Sequence, residues 1–140
     1  MKKPIASLLA ALGFVALAGA AQGQSVIQSA PSGNVLIDSY AAQIGPRDLV
    51  NSNGARLTQP WQVLRQDRAN YHRFGIRDRG DEWDSFFHDA DNRAAFENML
   101  RSGSISPQAA RDIMRGGAVV LVEIYGRGGV GSSVVVTVAR

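Results

Sequence analysis

Arginines, carboxylates and imidazoles crowd the stretch from Arg65 to Arg93, which holds six arginines, seven carboxylates, both histidines and five of the chain's ten aromatic residues. Two kinds of chemistry are open to such a set. In the first, Arg68, His72, Arg73 and Arg77 hold a carboxylate or phosphate group, because a guanidinium offers paired donors matched to planar anions. Tyr71 or Trp83 then supplies an apolar wall. Arg68 and His72 stand one helical turn apart and can face one ligand. In the second, His72 and His88 join Asp89, Asp91 and the cluster Asp81, Glu82 and Asp84 in a metal-assisted hydrolytic site. Two imidazoles with carboxylates suit zinc or iron, and carboxylates alone suit calcium or magnesium. The spacing matches neither HExxH nor an EF-hand loop, since the run from Asp89 lacks the loop's glycine and terminal Glu. A structural alternative stands beside both: these arginines pair with Asp67, Asp78, Asp81 and Glu82 and tie the loop to the domain.

Other motifs reduce to local structure. Gly126, Gly128 and Gly131 spell GxGxxG, but a phosphate loop needs a helix directly after it, and here Val134 to Val138 follow. A hairpin turn is the expected reading. Asp78-Arg79-Gly80-Asp81 resembles the DRGH signature of secreted non-specific nucleases, with Asp81 where their histidine base stands. The last third, from Ser104, is similar to small exported helix-plus-hairpin modules such as PepSY, without a specific motif. No GxSxG or SxxK accompanies the serines. His88, beside Phe86 and Phe87, reads as a packing or capping residue.

Composition bounds the setting. Met1 to Gly23 read as a cleavable export signal: Lys2 and Lys3, an apolar run from Ile5 to Ala18, then small residues. This predicts an exported, periplasmic protein of bacterial type. Removing the leader takes both lysines and leaves 13 arginines against 12 acids, a net charge of about +1. Nucleic acid is therefore not an expected partner, because phosphate tracking needs sustained positive charge. No cysteine is present, so neither a disulfide nor a thiolate metal site is possible. No later apolar run is long enough to span a bilayer. No cofactor and no bound metal are expected. The expected partner is an envelope protein or a small anionic ligand, and the expected role is a binding or accessory module rather than an enzyme.

The elements that must position these residues follow from pattern. Residues 24–34 read as a flexible N-terminal arm or a short edge strand, ahead of a single domain over 35–140. Val35 to Tyr40 alternates as a strand. Thr58 and Pro60 start a helix that runs to Phe74 and stops at Gly75. Its inward arc holds Trp61, Val63, Leu64, Tyr71 and Phe74, and also Asp67 and Arg68. Those two charges should pair, since burying either alone costs several kcal/mol. Helices are expected over Asp91–Arg101 and from Ser106-Pro107 to Gly116-Gly117. Ala118–Tyr125 and Ser133–Val138 should form a Val-rich hairpin. The predicted fold is α+β, a small antiparallel sheet of this hairpin and the Val35 strand against about three helices. A third reading gives the hairpin's exposed edge an oligomer-forming role.

Overall fold

A computed structural model describes residues 25–28 and 33–140, and the expected leader, residues 1–23, lies outside the described residues. The chain folds as a small α+β domain with β1 (Ser25–Gln28), β2 (Val35–Gln43), α1 (Pro60–Ala69), α2 (Ala90–Ser102), β3 (Ser104–Ile105), α3 (Pro107–Arg115), β4 (Val119–Arg127) and β5 (Val130–Ala139). The strands form one antiparallel sheet in the order β2-β4-β5-β1-β3. No helix among the described residues is long and apolar enough to cross a membrane.

Alternation in the Val-rich segment makes the central hairpin. Val120, Val122 and Ile124 of β4 stand opposite Val138, Val136 and Val134 of β5, and all six are buried. Val119 and Leu121, on the other face, stay about half exposed. Gly128 and Gly129 close the hairpin with φ of 57° and 78°, the pair of left-handed residues that a tight twisted turn requires. The glycine motif therefore makes a turn. Gly131 faces Phe86 so closely that a β-carbon would strike the ring.

Two expectations change here. Both hairpin strands have a neighbour on each side, β4 between β2 and β5, and β5 between β4 and β1, which pairs with it along Val135–Val138. Four residues of the expected arm, Ser25–Gln28, form β1 inside the sheet. Ile27 is fully buried opposite Val136 on one side and Ile105 on the other. An apolar residue placed to pair on both flanks outweighs the Gly, Ser and Pro around it.

The helices cover the buried face. Val63 and Leu64 of α1, Phe96 and Leu100 of α2, and Ala109 and Ile113 of α3 meet Tyr40, Ala42 and the hairpin valines in one core. Helix starts follow local chemistry. Ser106 Oγ accepts from the Ala109 amide, and Asp89 from the Asp91 amide, each satisfying a donor that the helix leaves free. At α1 the cap is Gln59, one residue after the expected Thr58, and Gln62 Oε1 reaches back to the amides of Thr58 and Gln59.

The loop after α1 guards the outer edge of β2. The amide of Gln43 donates to Asp81 Oδ1 at 2.9 Å and that of Ala41 to Glu82 Oε2 at 2.8 Å. The Glu82 amide returns a bond to the Ala41 carbonyl. Charged groups across open strand amides block pairing with another chain.

Candidate functional site

The α1 helix does not end as a regular helix. Its last turn widens into a π turn over Asn70–Phe74 and stops at Gly75, whose φ is +66°. The wider turn changes which residues face inward. Tyr71 is 5 % exposed and His72's side chain 3 %, whereas Phe74, on the core arc of an ideal helix, is 44 % exposed. One side of this segment thus enters the core while the other faces water.

The buried side centres on Arg68, which has no solvent exposure. Its Nε donates to Asp67 Oδ2 at 2.7 Å, and its Nη1 to Asp84 Oδ2 at 2.9 Å and to the Glu82 carbonyl at 3.1 Å. The guanidinium lies 3.9 Å from the centroid of the Tyr40 ring and 4.7 Å from that of Tyr71. Asp84 also accepts from the Phe87 amide and is 2.8 Å from His72 Nε2. Arg68 Nη2 and Tyr40 Oη are buried with no hydrogen-bond partner among the described residues.

Charge in this cluster does not balance when His72 is neutral: one guanidinium faces two carboxylates. Burial pushes the Asp67 carboxyl up to about 7 against the pull of Arg68, which favours an extra proton there. Burial also lowers His72, although its bond to Asp84 acts the other way. Burial opposes the charge of Arg68 too, yet Tyr40, Asp67 and Asp84 hold it above its ordinary value. Nearby, Asp48 accepts from Asn70 Nδ2 and the Gly45 amide, and burial raises it to about 6. Burial lifts Tyr40 well above the usual phenol range.

Arg68 and His72, expected as ligand contacts, therefore face the interior, where Arg68 pairs with Asp67 and Asp84 and His72 meets Asp84. The carboxylates of the metal reading are bonded elsewhere. Asp81 and Glu82 are spent on β2, and Asp84 on Arg68, Phe87 and His72. His88 is exposed, its ring 5.8 Å from that of His72. Among the described residues no group of three or more His, Asp or Glu is placed to hold a metal ion.

The solvent side carries two adjoining clefts that share Ser52, Gln66 and Phe74. One, of about 230 Å³, is lined by Arg47, Val50, Asn51, Asn70 and Ile76 with the shared three. The other, of about 430 Å³, adds Leu57, Gln62, Arg65, Ala69, Arg73 and Glu97. The Asn51–Ala55 turn supplies one wall. Asn51 Oδ1 accepts from the amides of Asn53 and Ala55, and a single bridge joins Val50 to Arg56 across the turn.

The arginines of these clefts differ in state. Arg65 is paired with Glu97 at 2.6 Å. Arg47 and Arg73 are exposed and make no ion pair among the described residues. Arg73 lies 5.0 Å from the Phe74 ring centroid. Of the other sequence candidates, Arg77 stacks 4.2 Å from Tyr71 and Trp83 is 64 % exposed, but neither lines these clefts. Arg47 and the Asn51–Ser52 turn carry no signal in the sequence near the charged stretch, because they are brought to α1 by folding. No known family model matches the chain, and no curated protein or solved structure compared with it is significantly similar.

Proposed function

We propose that this protein is a small exported binding or accessory module whose clefts beside α1 receive an anionic group of a ligand or envelope protein. The observation that supports this reading is the contrast among its arginines: Arg73 and Arg47 line the clefts with no ion pair among the described residues, while Arg68 and Arg65 are paired. A guanidinium beside an apolar wall such as Phe74 binds a carboxylate or phosphate through paired donors. Export rests on the leader sequence alone.

Amide-resolved NMR of the chain from residue 24, titrated with inorganic phosphate and with an acidic hexapeptide, tests the reading. Shifts should gather at Asn51, Ser52, Gln66, Arg73 and Phe74. Arg73→Ala should weaken binding about tenfold, the scale of one charge-assisted contact pair. Absence of saturable shifts at these residues with either probe would refute the site.

A further inference from the structure

The two clefts differ in character, and their difference specifies a ligand more closely than charge alone. The smaller one presents mainly apolar surface, from Val50, Phe74 and Ile76, with Arg47 and Asn51 also in its lining. The larger one is polar and holds Arg73. Between them Gln66 gives its Nε2 to Asn70 Oδ1 at 2.8 Å, and its Oε1 accepts no bond among the described residues. A largely apolar hollow with Arg47 in its lining, an amide acceptor unpaired among the described residues and the guanidinium of Arg73 thus adjoin one another across the two clefts.

Resting on the anion reading above, we infer that the clefts take the C-terminal end of a peptide or protein chain with an apolar last residue. The terminal carboxylate meets Arg73, and Gln66 Oε1 accepts the last backbone N–H. The last side chain fills the smaller hollow. The smaller hollow matches one side chain in size: at ~30 Å³ per water-sized group, about 230 Å³ holds one large side chain. Polar groups at the junction also suit a peptide amide, which an acyl chain lacks. Capture of a terminal carboxylate is a recurring mode of peptide recognition.

The experiment is an NMR titration of the leaderless protein with acetylated tetrapeptides ending in Leu, Val or Phe, each as free acid and as C-terminal amide. Decanoate and inorganic phosphate are run alongside. At least one free acid should bind at Gln66, Arg73 and Ile76, and its amide should bind at least tenfold more weakly. Arg73→Ala should erase the difference between acid and amide. Gln66→Glu, which keeps the size of the side chain, should weaken the acid further by adding negative charge. Equal binding of acid and amide, or tighter binding of decanoate than of every peptide, would overturn the inference. If phosphate binds in an Arg73-dependent manner and no peptide acid does, the anion site stands and the terminus assignment falls. If no probe reaches the clefts, both fall together.

Discussion

Arg68 and Arg73 occupy one helical segment and meet opposite fates. Arg68 has three directed partners, two aromatic rings beside it and no contact with water. Arg73 is exposed beside a cleft and a half-exposed phenylalanine. Residue type says nothing of the distinction. What separates them is the supply of carboxylates inside the fold: Asp67 comes from the same helix and Asp84 from a loop that the sheet edge holds in place. A guanidinium enters a core when its hydrogen bonds are met there, and otherwise it remains available to a ligand.

The strongest way to break this contrast is Arg68→Ala. It strands Asp67 and Asp84 in the core, so urea unfolding should show a loss of about 3–5 kcal/mol, enough to unfold a marginal domain. A folded, nearly wild-type variant would return Arg68 to the ligand-binding role. The second test is pH. Asp67 has a raised pKa in the folded state, so its stabilising contribution is complete below about pH 4 and disappears as pH rises through about 7. Asp48 behaves likewise up to about 6. His72 acts in the opposite sense: its folded pKa is lowered, so its contribution holds above its unfolded value and is lost as pH falls. Thermal and urea unfolding from pH 4.5 to 8 should therefore find Asp67→Asn flatter than wild type, with a difference on the order of 2–4 kcal/mol across the range. An unchanged slope would place the cluster's extra proton elsewhere.

Smaller effects lie away from the Arg68 cluster. Gly131→Val puts side-chain atoms into the space of Phe86 and should cost about 1–3 kcal/mol, read as a lower Tm. Arg73→Ala should leave stability within about 0.5 kcal/mol. If it matched Arg68→Ala in unfolding, the division of the helix into an inner and an outer arginine would fail.

Much of this fold was legible in local pattern. The Val-rich hairpin, the Ser106-Pro107 helix start and the apolar face of α2 each follow from periodicity and capping. The adjacency of Asp67 and Arg68 on the inward arc likewise indicated a pair. What pattern missed arises from non-local geometry. Phe74 lies on the core arc of an ideal helix, but a single π turn rotates it outward, and no propensity marks that turn. Asp84 reaches Arg68 and His72 from another element. Asp81 and Glu82 resembled cation ligands because sequence does not show strand amides waiting for them. Residues 24–34 were read as an arm or a short edge strand, and so short a run does not show that Ser25–Gln28 pairs on both flanks.

That short strand bears on how the domain assembles. β1 draws its partners from β5 and β3, with Ser25 opposite Val138, so the described chain's first strand docks only after its last one exists. Sheets closed by such distant pairings fold slowly, since loop-closure entropy must be met before any contact rewards it. Ile27 is the latch of that closure. Ile27→Ala should accordingly speed unfolding far more than it slows refolding, placing β1 among the last elements to form.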